Sequence, residues 1–272
     1  MQECAGWFCL GHWNLGHLSL FRISSFGFRI CHEHRFTHLT RLQNLMENTL
    51  NASPRTHCIR CGECCLRSSP TLQAKDVAQV VGASIRLEHL YSIRKGELVR
   101  DNVQGRIVPA DQEMIKVREK KGSCVFYTAE EKSCSIYVNR PAQCASLKCW
   151  DAAEFMELYQ SPKLHRQDLI ENGVLLGLIE EQEKRCSYAL LAAHVRQIPE
   201  NGEKAVEKIL ELLKFDFHLR PFLARKLGLR VEEMDFFFGR PLMETIVMFG
   251  LKVERQPDGG FLLTKLDWEK TG

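Results

Sequence analysis

The chain has 272 residues, 44% hydrophobic and 26% charged, with a formal charge of only +3. This is ordinary globular composition, long enough for one large domain or two small ones, and it carries no general nucleic-acid footprint. No stretch approaches about 18 uninterrupted apolar residues, so no membrane span is expected. His12, His17, Arg22 and several glycines break up the apolar patches of residues 1–30, so no clean secretory signal is visible. A cytoplasmic location is expected, and there clustered cysteines read as metal-binding or redox groups rather than structural disulfides. The chain holds twelve cysteines, which is high but below disulfide-scaffold density.

Residues 1–45 differ from the rest. They contain five of the ten histidines, two of the four tryptophans, and Cys4, Cys9 and Cys31, with no helical or strand period. They are expected to be a disordered or mis-called extension, with translation starting at Met46. A cysteine-cluster domain is expected over 46–159 and a mainly helical region over 160–272.

In chain order, the cysteine loop of 54–70 is followed by a predicted helix, Leu72–Val81, ended by Gly82. A second helix is predicted over Ile85–Lys95. Glu97–Arg100 and Arg106–Val108 alternate around Asn102 and Gly105, which predicts a hairpin, and Met114–Val117 reads as a strand. Cys124–Thr128 and Cys134–Val138 read as a second hairpin whose open end would bring Cys124 and Cys134 together. Pro141 then suits the start of a helix that carries Cys144. Five residues of α-helix turn through about 140°, so either this helix breaks near Lys148 or Cys144 and Cys149 serve different metal atoms.

Asp151–Tyr159 reads as helix, and so do Lys163–Glu171 and Val174–Val195. A loop is predicted at Pro199–Gly202, then an amphipathic helix over Glu203–Phe217. Helices are predicted over 221–228 and 231–249, interrupted near Gly239-Arg240-Pro241. Leu251–Glu254 and Gly260–Leu263 form a predicted terminal β-hairpin. The fold class is therefore α+β: a small cysteine-rich domain of short helices and hairpins, then helices ending in a β-hairpin.

The chemistry is concentrated in Cys58-Ile59-Arg60-Cys61-Gly62-Glu63-Cys64-Cys65. Four thiols in one loop oxidise easily and add little to a core, and a soft metal removes both problems. A second group, Cys124, Cys134, Cys144 and Cys149, completes eight candidate ligands. The run C-x2-C-x2-C begins like a bacterial ferredoxin run, yet the fourth cysteine at x3 is absent and Cys65 adjoins Cys64 instead. One four-cysteine site with spares and two neighbouring sites both fit. An iron or iron–sulfur site, structural zinc and disulfides remain open as occupants, with iron preferred. Cys186 reads as a small buried hydrophobe and His57 as a solvated loop residue.

These residues resemble a known family. Cys58-x2-Cys61-Gly62-x-Cys64-Cys65, Gly122-x-Cys124-x-Phe126 and Cys134-x-Ile136-Tyr137-x2-Arg140-Pro141-x2-Cys144 are similar to the YkgJ-like cysteine-cluster proteins. That family carries the zinc- or iron-chelating domain named for its CxxCxxCC signature. The resemblance covers about residues 54–152 and implies a zinc or iron site. A related branch, the flagellin lysine N-methylases, resembles it in the cysteine domain and is thought to use an iron–sulfur cluster with S-adenosylmethionine. Ala145 stands where the family usually has an arginine after the Arg-Pro-x-x-Cys box. Arg140 and Tyr137 either serve the site or simply hold the corner between strand and helix.

Three functions fit the residues. The first is a metal- or cluster-binding protein with a redox or accessory role. The second is a cluster-dependent protein-lysine N-methyltransferase, although no S-adenosylmethionine loop and no C-x3-C-x2-C signature is present. The third is a zinc-stabilised module that binds an unidentified protein partner through its helices.

Overall fold

The computed structural model describes residues 56–101 and 103–266. The expectations for residues 1–45 and Met46 lie outside them, as does the turn residue Asn102. The described part is α+β, and it belongs to one compact unit, Arg55–Gly272.

Helix α1, Glu63–Arg67, follows Gly62, whose φ of 80° is left-handed. A 3-10 turn at Ala74–Asp76 leads into α2, Val77–Val81, so the helix predicted over 72–81 begins two residues late. The predicted helix Ile85–Lys95 is overturned. The chain makes a 3-10 turn, Leu87–His89, and then strand β1, Leu90–Ile93. Leu90, Ser92 and Ile93 are all buried, and Ser92 Oγ donates to the Phe236 carbonyl at 2.6 Å. A short run buried on both faces shows no period that separates strand from helix.

Strand β1 pairs antiparallel with β4, Met114–Val117, with Leu90 opposite Val117 and Ile93 opposite Met114. Between them lies the expected hairpin of β2, Leu98–Asp101, and β3, Arg106–Pro109. The Asp101 carboxylate accepts from the amides of Val103 (2.8 Å) and Gln104 (3.0 Å), which closes the turn.

The second predicted hairpin forms in a different register. β5, Glu119–Lys120, pairs with β6, Ser123–Cys124, while β7, Tyr127–Thr128, pairs with β8, Ser133–Cys134. Cys134 therefore stands opposite Tyr127, not Cys124, and Tyr137–Asn139 is a 3-10 turn rather than strand. Pro141 directly precedes α3, Ala142–Ser146, which ends at Leu147 before Cys149 is reached. Helix α4, Ala153–Tyr159, packs on α3.

The predicted helix Lys163–Glu171 shrinks to a 3-10 turn, Arg166–Asp168. The Arg166 amide donates to Glu113 Oε1 at 2.7 Å and the His165 amide to Asp168 Oδ2 at 2.8 Å, which replaces a helical ladder. The predicted Val174–Val195 helix is two helices. α5 covers Gly173–Arg185 and α6 covers Tyr188–Leu227, and the Ser187 side chain caps α6 by accepting from the Leu190 amide. The loop predicted at 199–202 contracts to a single break at Gly202, with φ 47° and ψ −119°. Helices α7, Met234–Phe238, and α8, Leu242–Thr245, flank Gly239–Pro241 as expected. Strands β9, Leu251–Arg255, and β10, Phe261–Lys265, form the terminal hairpin.

Two apolar cores result. The first joins residues from both sides of position 160: Leu72, Leu90, Ile115, Val117, Cys124 and Phe126 pack with Leu164, Ile179, Leu223 and Phe236–Phe238. The second gathers Cys186, Tyr188, Leu191, Ile209, Leu213, Leu242 and Leu251.

Candidate metal centre

Cys58 and Cys61 stand on an exposed turn that leads through Gly62 into α1, which carries Cys64 and Cys65. Arg60, between Cys58 and Cys61, has a left-handed φ of 56°, and its amide donates to Cys58 Sγ at 3.4 Å. Cys58, Cys61 and Cys64 are exposed, while Cys65, on α1, is half-buried against the first core. Helix α1 lies against β6, which carries the buried Cys124. Cys134, on β8, and Cys144, on α3, are half-buried, and Cys149 follows α3 on the surface.

Cys64 and Cys65 lie 3.9 Å apart, sulfur to sulfur. A hydrogen bond from the Cys65 thiol holds Cys64 below the ordinary thiol range. The same bond, then burial, then the charge of Cys64, Cys124 and Cys144 push Cys65 the other way. Burial raises Cys144, and Cys124, Cys64 and Cys134 add to the rise; Cys124 is raised by burial and by Cys134. These five thiols, from α1, β6, β8 and α3, therefore feel one another electrostatically. Cys58, Cys61 and Cys149 make up the outer part of the predicted set. Among the described residues, no group of three or more His, Cys, Asp or Glu side chains is drawn together as metal ligands. An all-sulfur donor set nevertheless suits a soft metal by its chemistry.

Several positioning residues were not legible in the sequence. Asp76 is fully buried, and its carboxylate accepts from the Gln73 amide (2.8 Å) and the Ala142 amide (2.8 Å), fixing the start of the helix that bears Cys144. Gln143 Oε1 accepts from the Thr71 amide, which ties α3 to the segment after the cysteine loop. Tyr127 packs over Gly62 so closely that a Cβ there would run into its ring and hydroxyl. Only the unusual need for glycine at Gly62, inside a ligand loop, hinted at this.

The corner role of Tyr137 and Arg140 is visible. Arg140 Nη1 donates to the Tyr137 carbonyl at 2.8 Å, and its guanidinium stacks on the Tyr137 ring at 4.1 Å. His57 is exposed, beside Thr56 Oγ1 at 3.5 Å. Cys186 is fully buried in the second core, and burial pushes its thiol up to about 12.

Residues 57–163 match the model of a family described as "CxxCxxCC: Putative zinc- or iron-chelating domain", a span that contains all eight cysteines. An uncharacterized protein of Methanocaldococcus jannaschii is 33% identical over 89 residues, which are 32% of this chain and 41% of that protein. The chain thus spans less than half the length of this relative. No solved structure matches. No helix among the described residues is long and apolar enough to cross a membrane.

Proposed function

With residues 57–163 as a domain of the CxxCxxCC zinc- or iron-chelating family, we propose that this chain holds iron, as an iron–sulfur cluster, in the cytoplasm and serves a redox or accessory role. Zinc is the alternative occupant. The ligands are drawn from Cys58, Cys61, Cys64, Cys65, Cys124, Cys134, Cys144 and Cys149.

The observation that carries this reading is that all eight cysteines lie within the matched span, with the Cys64 and Cys65 sulfurs 3.9 Å apart on α1 and α1 packed against β6, the strand of Cys124. A core has no packing reason to hold eight cysteines within one short span, because each alone is only a small hydrophobe. Eight sulfurs exceed the four that one closed zinc site or one iron–sulfur cluster takes, which leaves ligands for a second site. When bound, a cluster supplies one-electron chemistry tuned by hydrogen bonds to its sulfurs and by burial. The protein's part is to keep Cys65, Cys124 and Cys134 against the first core and to present the exposed turn beside them. Gly62 allows that turn, and Asp76 and Gln143 fix the helix bearing Cys144.

The test is anaerobic purification followed by iron, zinc and acid-labile sulfide analysis with a visible absorption spectrum. Iron and sulfide in stoichiometric amount, with broad charge-transfer absorption, are expected. Colourless protein with stoichiometric zinc would replace the cluster with a structural site. Protein that takes up neither metal, with all eight thiols reduced, would end the proposal.

A further inference from the structure

The exposed cysteine turn makes two contacts that its length and composition do not require, both with tyrosines. The Arg60 guanidinium lies 4.2 Å from the centroid of the Tyr137 ring, the ring that also carries Arg140 at 4.1 Å. Gly62, two residues on, lies under Tyr127. Arg60 adopts a left-handed backbone, which an L residue with a long side chain rarely takes unless its surroundings demand it. The Tyr137 ring stands at the head of the corner that leads through Pro141 into α3 and Cys144. One ring therefore touches the segment between Cys58 and Cys61 and the segment that delivers Cys144.

We infer that Arg60 and Tyr137 are positioning residues for the metal site, a cation–π clasp that docks the Cys58–Cys61 turn onto the inner thiols and slows its departure. The inference rests on the metal-binding reading above. Its physical content is that the Cys58–Cys61 turn is held in place by the fold and does not have to be ordered by the metal alone. A turn free in solution would have to be ordered at each closure; a turn already stacked on Tyr137 has been ordered by the fold.

The test compares zinc-loaded full-length protein with four variants, reading the rate of zinc release to an excess of chelator. Arg60→Ala and Tyr137→Leu are each expected to speed release about five-fold, the scale of one exposed cation–π contact. Tyr137→Phe keeps the ring face and is expected to release at the wild-type rate. The double variant Arg60→Ala/Tyr137→Leu is expected to be no faster than Tyr137→Leu alone, because the two residues act through one contact. Additive effects in the double variant, or a Tyr137→Phe variant as fast as Tyr137→Leu, would overturn the clasp.

A second readout needs no metal. Tryptic cleavage after Arg60 in metal-free protein is expected to be several-fold faster in Tyr137→Leu than in wild type and Tyr137→Phe, measured relative to the other tryptic sites. Equal cleavage after Arg60 in all three would also overturn the clasp. If wild-type protein takes up no zinc and no iron, the metal reading fails by itself and the cleavage comparison alone decides the clasp.

Discussion

The thiol face and the buried ionic core of this protein solve opposite problems. The thiol face is made of two-residue strands, a five-residue helix and an exposed turn, and it carries eight cysteines that form no disulfide. Behind it, charged side chains are buried and tightly paired. Arg166 binds Glu113 and Glu183, Arg240 binds the fully buried Glu97, and Arg220 binds Asp216 and Asp235. Asp216 also accepts from Gln182 Nε2 (2.9 Å) and the Leu242 amide (2.9 Å), so it joins α5, α6 and α8. A region tied by paired buried charges between separate helices holds its shape through those contacts. A region of such short elements has little regular structure to hold it, and a bound metal would complete it.

The largest expected effect separates these regions directly. Stripping the metal with a chelator should loosen residues 56–67 and 119–150 and leave the helices after 170 ordered. Apparent metal-binding energies in small thiolate domains are on the order of 10 kcal/mol. Hydrogen exchange with and without chelator reads this by segment; uniform loss of protection across both regions would contradict the division. Next, Asp216→Ala should cost about 3 kcal/mol, because it removes the buried partner of Arg220 and leaves that charge only the longer ion pair to Asp235 at 3.4 Å. Urea unfolding measures that cost, and metal content per folded molecule should not change.

Gly239→Ala comes third. Its φ of 68° with ψ near 180° is a glycine conformation, and a Cβ there would press on the Arg94 side chain. A loss of about 1–3 kcal/mol is expected by the same unfolding measurement. The smallest effect should come from Cys186→Ala, about 1 kcal/mol from a small buried group, with full metal retention. Loss of metal in that variant would place Cys186 in the site and blur the comparison.

Legibility followed the same boundary. The α+β class, the β2–β3 and β9–β10 hairpins, the break at Gly239–Pro241 and the buried state of Cys186 were all readable, because turn residues and local pattern specify them. The cysteine spacing was readable too, and the Arg-Pro box marked its own helix start. What failed was local pattern without local cause. Ile85–Lys95 has the composition of a helix, but pairing with Met114–Val117 and burial under Phe236 make it a turn and a strand. Lys163–Glu171 lost its helix to the Arg166–Glu113 contacts, whose partners are 53 residues apart. Cys134 found Tyr127 across the ladder instead of Cys124, since β6 pairs backward with β5.

The sequence by itself therefore determined the kind of chemistry: eight thiols at spacings that suit a soft metal, a glycine inside the ligand loop, and a proline at the start of a ligand helix. Those are properties of residue type and short-range geometry. Only the tertiary structure decided which thiols are inner and which outer, which buried acid fixes Cys144, and which rings touch the cysteine turn. Asp76 and Ala142 are 66 residues apart, and Arg60 and Tyr137 are similarly remote. Contacts at that range depend on how two segments pack together, and no window of neighbouring residues contains both partners.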